Sequence, residues 1–444
     1  MRLAPFIRIT LLCFVLATAG CGGGDTGRGD VLLVIVDTAR ADHFSAYGYP
    51  RRTTPNLDRL ASEGQRYDEA WAQAPWTLPA IASILTGQPP HVHGAGRGAG
   101  GIHPVREEVA TLAERMRSEG YATAAFINVL WCEARISALD RGFEVYDYHG
   151  SDETNLGHRD AGRTTDAVLA WLDRLDDEPF FAVVHYFDPH LTYDPPDPYD
   201  TMFDQEAGSR RIPRGFGSAS QVFQIRDGTI RLGPPERESL IARYDGEIRY
   251  TDEQFGRLRE GLEQRGRWDD ALVVVVADHG EEFWDHGGFE HGHSHYREML
   301  RVPLITKRPG SPAGEVVDRR VRQLDIAPTV LDFAGIPLPQ ELPGGVLGTI
   351  DAPYAVAEGS LWAGHLVSIR SDGGTLIRNH STGAIAFYVP EDKFEQHPLP
   401  IETETAKNLQ NILEALPALP TTPADLRQLT EEQKNQLRSL GYMQ

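Results

Sequence analysis

Positive charge is scarce in this chain: 43 lysines and arginines stand against 64 aspartates and glutamates, for a formal net charge of −21. Nucleic acid and other polyanions need the opposite balance, so gripping them is excluded as a main role. Cysteine is scarcer still, three in 444 residues, and so few make no disulfide framework. Beyond the first twenty residues, no apolar run is long enough to cross a bilayer. No internal repeat is visible. What remains is 41% hydrophobic, enough for a sizeable core, in a length that suits one large α/β domain or two smaller ones.

The first twenty residues read as an export signal. Arg2 and Arg8 flank the start, and Ile9 to Ala19 is an apolar run too short for a comfortable span. It ends Thr18-Ala19-Gly20-Cys21 and is followed by Gly22-Gly23-Gly24. This resembles a bacterial lipoprotein cleavage site with Cys21 as the acylated residue; an ordinary signal peptide with an incidental cysteine is the plainer alternative. The expectation is a cell-envelope protein, periplasmic or surface-facing. Lipid on Cys21 holds it to a membrane, with 21–29 as a flexible tether. Cys132 is then left as a small buried hydrophobe.

The uninterrupted apolar, β-branched run at 31–36 reads as a strand buried on both faces, the pattern of a parallel sheet, and the largely apolar runs at 122–127, 180–186 and 272–277 read as further strands. Helical stretches separate them: one opening Thr53-Thr54-Pro55 and ending at Gly64, then 111–119, 160–176, and 236–265 with a break near Gly246. The division expected is a catalytic domain over 30–345 and a smaller C-terminal α/β part with its tail over 346–444. Strands in that part are expected near 354–358, 366–370 and 375–388. Residues 200–235 read as an insertion that shapes substrate access.

Chemistry gathers where these strands end, the usual place for ligands in α/β sheets. Asp37 follows the first strand. His185 lies inside the third and reads as a satisfied core histidine; Asp188 and His190 lie just past it. The fourth delivers Asp278-His279-Gly280-Glu281, and five of the sixteen histidines fall between 279 and 295. His293 and His295 are expected as neighbours of that site, and Pro90-His91-Val92-His93-Gly94 as a surface turn. Thr77 opens the stretch Thr77-Leu78-Pro79-Ala80-Ile81 that runs to Thr86-Gly87. A helix with Pro in its first turn and Gly beyond its end is expected there. A hydroxyl at that point is either an ordinary N-cap or a reactive group at the positive end of the dipole.

The stretch from Thr77 to Gly87 resembles the active-site segment of the sulfatases, in the alkaline phosphatase superfamily. So do Asp37-Thr38-Ala39-Arg40, Thr54-Pro55-Asn56-Leu57-Asp58, Leu139-Asp140-Arg141-Gly142-Phe143 and Asp278-His279-Gly280. The resemblance implies a large, mostly parallel sheet flanked by helices, and a metal-dependent ester hydrolase. It implies metal ligands at Asp37, Asp278, His279 and Thr77, and substrate-handling histidines at His190 and His291. Asp188, two residues before His190, is either an orienting group for it, since an acid commonly fixes a histidine's tautomer, or part of a loop held by Asp–backbone bonds; Arg40, Asn128 and His286 are candidate substrate contacts. The departures are informative. Thr77 stands where sulfatases carry the Cys or Ser oxidised to formylglycine, Ala80 and Ile81 replace a Ser and an Arg, and Thr38 replaces a second acid.

Mixed carboxylate and imidazole ligands favour one zinc or manganese ion over calcium. A threonine nucleophile suits phosphorus. In sulfatases the formylglycine hydrate expels sulfate by collapsing to the aldehyde, and a sulfated threonine has no such exit. The expected activity is hydrolysis of phosphate or phosphonate esters of a small molecule, glycan or lipid-linked substrate. The alternatives are a sulfuric ester hydrolase using metal-bound water, and a phospho-group transferase or inactive binding protein.

Overall fold

The computed structural model describes residues 29–98, 101–150, 159–204 and 212–417. The expected export signal, Cys21 and all of the expected tether but Gly29 lie outside the described residues. Eight strands form the central sheet: β1 (Val31–Val36), β2 (Gln65–Trp71), β3 (Ala122–Ile127), β4 (Val145–Tyr148), β5 (Phe180–Tyr186), β6 (Leu272–Ala277), β7 (Leu304–Lys307) and β8 (Glu315–Arg322). Their order across the sheet is β8-β2-β7-β6-β1-β5-β3-β4. All run parallel except β7, which is antiparallel to both neighbours.

The four strands expected from apolar runs are present, and three of them, β6, β1 and β5, lie side by side with every residue buried. Valine and isoleucine side chains suit a pleated surface covered on both faces. The peripheral β2 and β8 carry several charged residues in no regular pattern and are only partly buried, so they lack that signal.

Helices cover the sheet. The longest, Pro234–Gln264, is continuous for 31 residues, correcting the expected break at Gly246. The glycine serves a close approach instead: a Cβ there would lie 2.4 Å from the carbonyl oxygen of Tyr199. The helix Pro55–Glu63 does end at Gly64, but Thr54 does not cap it. The backbone N–H groups of Asn56 and Leu57 donate to the Asp252 carboxylate, at 3.1 and 2.9 Å, which docks this helix on the long one.

Beyond the large core, Tyr354–Glu358, Leu366–Ser371, Gly374–Asn379 and Ile385–Tyr388 form an antiparallel meander, covered by the helix Glu404–Ala415. Ile369, Leu376, Phe387 and Leu409 build its own small core. The expected single strand over 375–388 is two. The Asn379 side chain accepts from the N–H groups of Ser381 and Thr382 and turns the chain between them.

Candidate active site

Register places the acids. Val36 on β1 pairs with Ala277 on β6, so the next residues, Asp37 and Asp278, emerge side by side at the carboxyl edge of the sheet. The chain turns sharply there. Thr38 has φ +52, a left-handed conformation that costs a β-branched residue about 1–3 kcal/mol. Its N–H is thereby aimed at Asp278 Oδ1, 3.1 Å away, which also accepts from the His279 N–H at 2.8 Å. Gly280 keeps the loop low, since a Cβ there would stand 1.9 Å from the Glu298 carbonyl oxygen.

Thr77 is the first residue of a fully buried helix, Thr77–Thr86, closed by Gly87 at φ +66. The N-cap is the extended Trp76, and no side chain caps the helix. The Thr77 hydroxyl is used otherwise: Oγ1 lies 3.3 Å from His279 Nε2. The opposite His279 nitrogen, Nδ1, faces the Gly280 carbonyl at 2.9 Å. A carbonyl only accepts, so Nδ1 carries the proton and Nε2 keeps its lone pair for the site. Burial holds this imidazole neutral, down at about 4.

Asp37, Asp278 and His279 each offer a donor atom, and these lie within 4.8 Å of one another. Both Asp37 oxygens and Asp278 Oδ2 are fully buried with no hydrogen-bond partner among the described residues. Burial pushes both carboxyls up to about 7, and in Asp278 the charge of Asp37 adds to it. Unpaired buried carboxylates are costly, and a cation is what relieves them. Oxygen and imidazole donors in this number fit a divalent metal.

The structure brings His190 and His291 together. Their ring centroids are 5.0 Å apart, and His291 is 4.6 Å from His279. His190 Nδ1 donates to the Leu191 carbonyl at 2.7 Å. His291 Nδ1 faces Glu281 Oε1 at 3.0 Å, and Tyr193 donates to the other Glu281 oxygen at 2.9 Å.

Other expected contacts sit elsewhere. Asp188 does not orient His190; its carboxylate accepts from the Ala161 N–H at the start of the Ala161–Leu172 helix. Asn128 is buried between strands, donating to Thr164 and the His185 carbonyl and accepting from Arg159. Arg40 spends its guanidinium on Asp42, Asp285 and the Glu281 carbonyl. His286 faces Glu298 through Nδ1 at 2.8 Å and the Glu395 carbonyl through Nε2 at 3.0 Å, stacked on Tyr296. His293 pairs with Glu282, while His295 reaches Ser368 and the Gly359 carbonyl and so ties down the C-terminal sheet. His93, expected on a surface turn, is fully buried against Ser83.

Two residues were not legible from the sequence as site members. Glu281, within the motif, holds His291. His185, expected as a satisfied core histidine, has no partner on either ring nitrogen among the described residues, and its Nε2 is 3.3 Å from Asp37 Oδ2. The available signal was its place one residue from the end of the strand beside β1.

With this geometry in view, comparison with known proteins is consistent. An arylsulfatase of Clostridium perfringens is 26% identical over 371 residues, covering 71% of this chain and 76% of that protein. A multifunctional alkaline phosphatase superfamily protein of Trinickia caryophylli is 27% identical over 394 residues, with 71% and 76% covered. Among solved structures, a phosphonate monoester hydrolase from Silicibacter pomeroyi superposes with a TM-score of 0.69 at 22% identity, covering 93% of this chain and 96% of that one. The sequence model of the sulfatase family matches residues 29–336, a span that holds the central sheet, the Thr77 helix and every group converging on it. The chain therefore belongs to the sulfatase family of hydrolases, within the alkaline phosphatase superfamily.

Proposed function

We propose that this hydrolase cleaves phosphate or phosphonate esters, with Thr77 Oγ1 as the nucleophile. The observation that carries the reading is the placement of that hydroxyl. It caps no helix and stands 3.3 Å from His279 Nε2, in the group that includes both oxygens of Asp37 and Oδ2 of Asp278, none of which has a hydrogen-bond partner among the described residues. Asp37, Asp278 and His279 would hold a divalent metal, zinc or manganese, with Thr77 beside it. What a cation supplies there is positive charge, favouring the alkoxide of Thr77 and polarising an ester oxygen.

The chain's own groups do the rest. Thr77 Oγ1 forms a bond to phosphorus as the bond to the ester's leaving oxygen breaks. The start of the Thr77–Thr86 helix turns the positive end of its dipole toward the phosphoryl oxygens. His190 and His291 donate Nδ1–H to Leu191 and Glu281, so Nε2 of each carries a lone pair; one takes the proton that the Thr77 hydroxyl loses, steadies the phosphoryl oxygens as the imidazolium and passes that proton to the leaving oxygen. Water then attacks phosphorus as the bond between phosphorus and Thr77 Oγ1 breaks, and a proton from that water restores the hydroxyl.

The substrate class is a small-molecule, glycan or lipid-linked ester. We place the protein in the bacterial cell envelope, lipid-anchored on Cys21, from the sequence of residues 1–29. No helix among the described residues is long and apolar enough to cross a membrane.

The test is parallel turnover of aryl phosphate, aryl phosphodiester, aryl phosphonate and aryl sulfate by metal-reconstituted protein, with Thr77→Ala alongside. Phosphorus-ester turnover that disappears in the variant supports the proposal. Sulfate turnover that survives the substitution overturns it.

A further inference from the structure

Asp37 lies between two imidazoles. Its Oδ1 is 3.7 Å from His279 Nε2, on the side where the donor atoms converge, and its Oδ2 is 3.3 Å from His185 Nε2. All three residues are fully buried. His185 arrives from the neighbouring strand: Ile35 of β1 pairs with it, and the Asp37 N–H donates to the carbonyl of the next residue, Tyr186, at 3.0 Å. The strand backbone therefore fixes the imidazole beside the carboxylate.

Neither nitrogen of His185 and neither oxygen of Asp37 has a hydrogen-bond partner among the described residues. Two complementary buried groups 3.3 Å apart, each lacking a partner, are one small rotation from pairing. His185 is not one of the three residues whose donor atoms converge within 4.8 Å, so its route to the site runs through Asp37. Thr38, the next residue after Asp37, contributes a buried hydroxyl with no partner among the described residues and no charge.

We propose that His185 is a positioning residue for Asp37. Its Nε2–H donates to Oδ2 of the ionised carboxylate and holds Oδ1 toward Asp278 and His279. The inference rests on the reading of these three residues as a metal site.

The experiment measures cobalt(II) affinity of the full chain, stripped of metal, by calorimetry and visible absorption. His185→Leu, with only an apolar side chain, is compared with His185→Gln, whose amide N–H reaches the same place. We expect H185L to bind cobalt about 10–100-fold more weakly, H185Q to recover most of the loss, and the saturated spectra to match wild type. Should H185L fail to fold, His185→Asn, polar but too short, takes its place with the same expectation. Affinity within about twofold of wild type in the apolar or short variant overturns the proposal, as does equal loss in H185Q. A saturated spectrum that loses a nitrogen ligand overturns it in favour of direct ligation. Wild-type protein that binds no cobalt overturns the metal reading and this inference together; wild-type binding beside unaffected variants overturns this inference alone.

Discussion

Thr77 Oγ1 and His279 Nε2, separated by 202 residues of chain, meet at 3.3 Å where the start of a buried helix faces the end of β6. The contact predicts that the hydroxyl, not the side-chain bulk, matters. Thr77→Ser should keep phosphorus-ester turnover within about tenfold, whereas Thr77→Ala should lose at least about a thousandfold in kcat. Quenched wild-type reactions, digested and analysed by mass spectrometry, should show a phosphoryl group on the peptide containing Thr77, and T77A should show none.

Metal removal should destabilise the protein, because Asp37 and Asp278 are then left buried without a counter-charge. Returning zinc or manganese at a hundred times Kd should add about 2.7 kcal/mol to the unfolding free energy. Asp278→Asn should abolish most of that gain. The measurement is urea unfolding of chelator-treated and reconstituted protein; identical curves would count against a bound ion.

His286 predicts a pH window. Burial opposes its charge, but the hydrogen bond and charge of Glu298 outweigh that, raising the imidazole from 6.5 to about 9. A histidine raised in the fold stabilises fully below its unfolded value and loses that contribution as pH rises through the folded one. The melting temperature should therefore carry a component that falls between pH 6.5 and about 9. His286→Phe should keep the stacking on Tyr296 and remove that component.

Gly246→Ala sets two effects against each other. Alanine favours a helix interior by about 1 kcal/mol. Its Cβ would sit 2.4 Å from the Tyr199 carbonyl oxygen, and overpacking of that kind costs about 1–3 kcal/mol. Net destabilisation is expected, measured as a lower urea midpoint; a rise would show that the Tyr199 segment moves away freely.

Legibility followed burial. The central strands announce themselves because a sheet covered on both faces tolerates little but apolar residues, and Asp37 and Asp278 stand out by ending such runs. β2 and β8 lie toward the sheet's edge, carry arginine and glutamate, and gave no period to read. Residues that cluster along the chain proved a poor guide to sharing a site. His279 and His291 do face each other, but His286, His293 and His295 were drawn off by Glu298, Glu282 and the C-terminal sheet, partners no local pattern marks. Asn128 and Asp188 follow strand ends as active-site residues do, and both instead satisfy backbone groups. His185 was missed for the converse reason: an imidazole inside an apolar strand looks like core until the neighbouring strand is known.

The hydrogen bond from the Thr38 N–H to Asp278 spans 240 residues of sequence. At about 5–20 residues per second, roughly 12–48 s of synthesis separate the two ends of that bond. Through that interval β1 exists without β6, the strand that completes one of its two edges. Until then Asp37 has neither Asp278 nor His279 beside it. The site is thus assembled late, and whatever ion it takes meets β1 and β6 already side by side rather than Asp37 alone.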